Sequence, residues 1–318
     1  MGQFALAERL CAAGSAFPRS YSEDVMEDLV ERLEKRLRRH ALAELPKENG
    51  QRHELESLDL RDLLTAYGNW RYRCPPPRPR SVHIARELEK EMKAGDAPEA
   101  LGPLIQKIKD GNALKPFLSR NVDVAVDRSE GTPHHRRKDL DLLLAEWGVH
   151  HLHLSEVIES DGFAERTRDL LFVVFRPNDA YLIGIFPHGS WTKRAVAERA
   201  VRNWPEAELF LRSNSAIGLT HVWDESESAA LRKAGLTQSM MIDGDVYSPQ
   251  GQTLGGTSLT ISRRVINLMW ELSDWKARGE DRLMEFAGGS FVYWLPAIQG
   301  DRCGFLGGNQ FVGIADLP

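Results

Sequence analysis

Residues 168–191 read RDLLFVVFRPNDAYLIGIFPHGSW. Two dense runs of aliphatic, β-branched and aromatic residues, Leu170–Phe175 and Ala180–Phe186, flank Arg176-Pro177-Asn178-Asp179. Proline followed by Asn-Asp is turn chemistry of the kind that joins antiparallel neighbours, so the stretch predicts a β-hairpin. The first third of the chain carries helical patterns and the hairpin sits beyond it, which makes the expected class α+β. We expect a helical N-terminal region, residues 1–130, followed by an α+β domain, residues 131–318. The second domain has a central antiparallel β-sheet, flanking helices and a glycine-rich C-terminal part. The Gly131-Thr132-Pro133 turn marks the boundary.

Just upstream, Leu140–Trp147 predicts a short helix stopped by Gly148, and the stretch from Val149 to Ser155, VHHLHLS, then alternates as a strand does. On a strand, positions 149, 151 and 153 share one face and 150, 152 and 154 the other, so His151 and His153 point together. Downstream, Thr192–Trp204 predicts a helix with Ser190 as its N-cap and Pro205 as its stop, and Glu208–Arg212 predicts a further short strand. Helices are expected again from Asp224 and from Ser262.

In the N-terminal region, Ser20–Glu23 reads as a capping box opening a helix with Leu29, Leu33 and Leu37 on one stripe. The pairs Glu31–Lys35 and Glu34–Arg38 lie outside that stripe. Further helices are expected over Leu58–Tyr67 with Gly68 as the stop, over Val82–Lys93, and over Pro98–Lys109. Between two of them lies NWRYRCPPPRPRS, residues 69–81, whose three consecutive prolines impose an extended path. Arg71, Arg73, Arg78 and Arg80, beside Trp70 and Tyr72, read either as a nucleic-acid-binding strip or as a solvated linker. A second basic cluster, His134–Lys138, reads as a surface loop leading into the next helix.

Composition excludes several classes. The formal net charge of −5 over 318 residues is not the overall positive field of a dedicated nucleic-acid coat. Cys11, Cys74 and Cys303 are far apart and odd in number, so neither a disulfide framework nor a paired-cysteine zinc site is expected. The N-terminal residues lack a basic start with a long apolar core, and Leu6 stands where a myristoylation signal needs Ser or Thr, so no export signal or lipid anchor is expected. The LLFVVF run is far short of a membrane span. A soluble, cytoplasmic protein with no membrane partner is expected. No GxSxG elbow, HExxH pair, CxxC pair or P-loop occurs, and Tyr247, Ser248 and Leu254 break the calcium-loop pattern in the stretch beginning at Asp243.

Chemistry concentrates on three histidines. His151 and His153 lie two apart on a strand, close enough to converge on one metal or one phosphate, and His188 lies at the far end of the hairpin. A metal site would need His188 with Asp169 or Asp161. A metal-free site, which needs no cofactor, would use one histidine as general base and another as acid, with Arg166 or Arg168 and Lys193 stabilising a phosphorane-like transition state. The plain alternative is that the histidines are hydrogen-bonded on a half-buried sheet face and do no chemistry.

The stretch RTRDLLFVVFRPNDAYLIGIFPHGSWTKRAV, from Arg166, resembles the core of RelE/HigB-like ribonuclease toxins over residues 166–204. The shared arrangement is an Arg-led strand, a tight turn, a partner strand ending in apolar-His-Gly-aromatic-Lys, then a helix. The resemblance implies that Arg168, His188, Trp191 and Lys193 fall among RNA-contacting and catalytic groups on the sheet. It departs from that family in its length, its acidic balance and its helical N-terminal part. The VHHLHLS strand and hairpin also resemble bacterial proteins that bring no activity with the likeness.

On this reading the chain is a metal-independent RNA-directed nuclease, of the toxin or phage-defence kind, with RNA or another nucleic acid as partner. Two alternatives stand beside it. One is a noncatalytic nucleic-acid- or protein-binding molecule whose helical N-terminal region takes a protein partner; the other is a metal-dependent hydrolase.

Overall fold

The computed structural model describes residues 23–47, 51–127, 133–286, 294–307 and 310–318. The fold is α+β, and its contacts divide it into two compact units. The larger spans Arg38–Asn267 with Leu317–Pro318; the smaller holds the described residues before Arg38 and those within Leu268–Asp316. The expected capping box at Ser20 lies outside the described residues. Among those described, no helix is long and apolar enough to cross a membrane.

The larger unit takes α1 (Glu23–Glu44) from Arg38 onward and continues through α2 (Gln51–Ser57) and α3 (Leu60–Arg73) to β1 (Ser81–Ile84), α4 (Arg86–Ala94) and α5 (Leu101–Asp110). Then come α6 (Leu142–Trp147), β2 (His150–His153), β3 (Asp169–Phe175), β4 (Asp179–Pro187) and α7 (Arg194–Asn203). The main sheet has four strands in the order β1-β4-β3-β2. As the sequence predicts, β3 and β4 form an antiparallel hairpin. β2 pairs antiparallel with β3, His151 opposite Phe172 and His153 opposite Leu170. β1 runs parallel to β4. The sheet thus draws strands from both sides of residue 130.

β3 is central and both of its faces are buried, which is why it reads as an unbroken apolar run rather than an alternation. Leu171 and Val173 join Leu152, Leu154 and Leu182 against Leu104, Ile105 and Ile108 of α5. Leu170, Phe172 and Val174 join Phe186 against Val196, Ala197 and Ala200 of α7, with Leu143 and Trp147 of α6. Helices therefore cover the sheet on both sides.

Three sequence expectations are corrected here. Residues 81–84 belong to a strand, because β4 offers Val82 and Ile84 a parallel edge, and the helix expected from Val82 begins only at Arg86. Gly68 does not end α3, which runs on to Arg73. A Cβ at Gly68 would come within 2.7 Å of the Ile261 side chain, so glycine permits a close approach there. Lys193, not Ser190, is the N-cap of α7, without a side-chain cap bond.

The chain continues through β5 (Leu211–Arg212), α8 (Glu225–Lys233), β6 (Met240–Ile242) and β7 (Asp245–Ser248), whose strands make a second sheet in the order β5-β7-β6. The stretch beginning at Asp243, which breaks the calcium-loop pattern, forms the turn and second strand of the β6–β7 hairpin.

The smaller unit holds the later part of α9 (Leu259–Phe286) and an antiparallel sheet of β8 (Trp294–Gln299), β9 (Arg302–Gly307) and β10 (Gln310–Asp316). Trp275 packs on Phe305 at 5.3 Å between ring centroids, beside buried Leu272 and Cys303. Burial pushes the Cys303 thiol up to about 12.

A candidate acid–base site at the edge of the sheet

β2 is an edge strand, and its alternation sends its histidines to different layers. His150 turns toward α5 and is buried: its Nε2–H donates to the Tyr72 carbonyl at 2.9 Å, and Phe175 lies edge-on at 5.2 Å. Burial holds its imidazole down at about 4. His151 and His153 share the opposite face, as expected, but of the two only His151 lines the cavity there. His153 is 8% exposed, and its Nδ1 accepts the Thr167 N–H at 3.2 Å. Burial, helped by His151 and Arg166, holds it at about 4 as well.

A cavity of about 360 Å³ opens beside β2. His151 and His188 both line it. Each lies against the indole of Trp191, at 4.7 and 5.0 Å between ring centroids, and that indole is itself stacked on Phe172 at 5.8 Å. The His188 N–H bonds the Arg168 carbonyl at 2.7 Å, which ties it to the foot of the hairpin.

On the His151 side the local structure follows from α6. Asp141 is its N-cap, accepting the Leu144 N–H at 3.0 Å through Oδ1. Gly148 ends the helix at φ +71, a conformation that costs glycine nothing, and delivers the chain to β2 within two residues. This turn sets the other Asp141 oxygen, Oδ2, 3.5 Å from Nδ1 of His151. The gap is long for a hydrogen bond, as acid–base pairs often are before a substrate tightens them.

A buried guanidinium joins the two sides. Arg232, in the last turn of α8, donates Nε–H to the Glu146 carboxylate on α6 and an Nη1–H to the Trp191 carbonyl, and lies 4.4 Å over the Trp147 ring. Burial pushes the Glu146 carboxyl above its ordinary range against the pull of Arg232. Among the described residues the cavity wall also carries Lys138, Lys233 and Arg73, with His135 and the neutral His150, against the carboxylate of Asp141. In a chain of net charge −5 this is a local concentration of positive charge.

The other predicted groups are placed elsewhere. Arg166 and Arg168 are exposed and Lys193 is half-buried; none of the three lines the cavity. Arg73 is 6% exposed and donates to the carbonyls of Asn121 and Val124, both at 2.7 Å. Arg80 donates to the carbonyls of Arg176, Arg78 and Pro76, with Phe175 under its guanidinium at 5.0 Å. Arg71 lies 5.9 Å over Tyr67, and Arg78 is half-buried. Asp161 pairs with Arg120 at 2.6 Å. Among the described residues, no three His, Cys, Asp or Glu side chains are grouped to hold a metal.

Sequence reading missed Asp141, Arg232 and Lys233 and assigned Lys138 no role. An Asp directly before an apolar helical run does signal an N-cap, but nothing local marks Arg232. Comparison of the chain with known protein families, characterised proteins and solved structures finds no match.

Proposed function

We propose that the cavity is a metal-independent acid–base site for cleavage of RNA by its own 2′-hydroxyl, and that the protein is an RNA-directed nuclease of the toxin or defence kind. The observation that supports this reading is the meeting of His151 and His188 against one indole, in a cavity walled by lysines and arginines.

His151 Nδ1 is buried without a hydrogen-bond partner 3.5 Å from Asp141, and substrate binding that closes this gap places the proton on Nδ1 and leaves Nε2 to act as general base. The 2′-hydroxyl proton passes to Nε2 and the oxygen attacks the adjacent phosphorus. The bond from phosphorus to the 5′-oxygen breaks, and His188, the more exposed of the two, delivers a proton to the leaving oxygen. The products are a 2′,3′-cyclic phosphate and a 5′-hydroxyl. Lys138 and Lys233 neutralise the phosphate charge as it builds. His153, Arg166, Arg168 and Lys193 have no part in the step.

The test is incubation with single-stranded RNA in chelator, comparing wild type with His151→Ala and His188→Ala. The reading expects cleavage by wild type and a loss of about 10²- to 10⁴-fold in each variant. RNA that is bound but left intact by wild type would leave the cavity a noncatalytic nucleic-acid-binding site.

A further inference from the structure

We propose that Arg232 is the fixed anion contact of this cavity, holding a non-bridging phosphate oxygen of a phosphate ester through Nη2. The proposal rests on the nuclease reading only for the identity of the larger substrate, since the anion contact follows from the arginine itself.

The side chain is 5% exposed. Nε is committed to Glu146 and Nη1 to the Trp191 carbonyl. Nη2 has no partner among the described residues, yet it is not one of the enclosed, unsatisfied nitrogens, and Arg232 lines the cavity. A buried guanidinium with two nitrogens anchored and the third left open presents an N–H whose direction is set before any ligand arrives. A planar fork of fixed charge suits phosphate better than a mobile ammonium does. Lys138 and Lys233 are exposed and supply charge without direction.

The same arginine also holds the reacting groups. Its Trp191 bond positions the indole on which both imidazoles rest, and its Glu146 bond reaches the helix whose N-cap faces His151. An ion pair this enclosed is weak evidence of stabilisation, because desolvation offsets its attraction. A role in geometry and ligand contact accounts for it better.

The experiment measures binding of inorganic phosphate and of a 2′-O-methyl RNA oligonucleotide, which cannot be cleaved, to wild type and to Arg232→Lys. Circular dichroism checks the fold, and the histidine and arginine side-chain resonances of wild type are followed during the phosphate titration. The proposal expects phosphate to shift the Arg232, His151 and His188 signals, and Arg232→Lys to weaken both ligands about tenfold or more. Unchanged affinity in a folded Arg232→Lys, or wild-type signals that stay in place, would overturn it. If the variant does not fold, the wild-type titration decides. Unmodified RNA separates the two ideas. Cleavage with phosphate affinity untouched by Arg232→Lys removes the anchor and keeps the nuclease, whereas weakened phosphate binding without cleavage by any form keeps the anchor and removes the nuclease.

Discussion

Arg80 and Arg232 are equally enclosed, at 5% and 4% exposed, and are used differently. Arg80 sits in the proline-rich strip that composition reads as either a nucleic-acid contact or a solvated linker, and its three nitrogens all bond carbonyls of the surrounding chain. Arg232 sits in an ordinary helix end and keeps one amino group open on a cavity wall. A cluster of arginines therefore says little about ligand binding until each donor is assigned. The extended Pro75–Pro79 path leaves carbonyls without a ladder partner, and the nearby guanidiniums of Arg73 and Arg80 answer backbone carbonyls first.

The contrast can be broken at either arginine. The largest effect is expected at Arg80→Ala, which strands three carbonyls and removes the cover of Phe175. Urea denaturation should show a loss of about 3 to 4 kcal/mol, while the folded fraction binds phosphate as wild type does. Full stability, or lost phosphate binding, would move Arg80 into the ligand site.

Next comes acid. His150 is held at about 4 in the folded chain against an ordinary 6.5, so the unfolded chain takes up its proton first as pH falls. The stabilising effect of the neutral ring is fully present above pH 6.5 and is lost as pH falls toward 4, by about 3 kcal/mol for this group. His153 adds to the loss with the same sign. His150→Gln, which keeps an N–H for the Tyr72 carbonyl, should flatten the stability profile over that window. An unchanged profile would mean that His150 is not the titrating group.

A smaller effect sharpens the comparison on the cavity side. Asp141→Asn retains a good N-cap for α6 but removes the charge facing His151. RNA cleavage should fall about tenfold, roughly 1.4 kcal/mol in the barrier, with stability within about 0.5 kcal/mol of wild type. A loss of stability without a loss of rate would restrict Asp141 to capping.

How much of this was legible in the sequence depends on how local the cause is. The β3–β4 hairpin and the alternation of β2 were readable because a turn and a two-residue period are written in neighbouring residues. The facing of His151 and His153 followed from that period alone. The end of α3 was misread because the reason for Gly68 is Ile261, far along the chain, and β1 was misread because only its pairing with β4 makes it a strand. His153 was drawn away from the cavity by Thr167, a bond that no spacing rule reveals. Arg232 was illegible for the same reason: its partners lie 41 and 86 residues away.

The most direct test of the acid–base assignment uses two substrates in chelator: an RNA dinucleotide and a nucleoside 3′-(4-nitrophenyl phosphate), whose leaving group needs no proton. The account predicts that His188→Ala loses about 10²-fold or more on RNA yet approaches wild type on the nitrophenyl ester, while His151→Ala is slow on both. Equal losses for the two variants on both substrates, or no turnover of either by wild type, would contradict it.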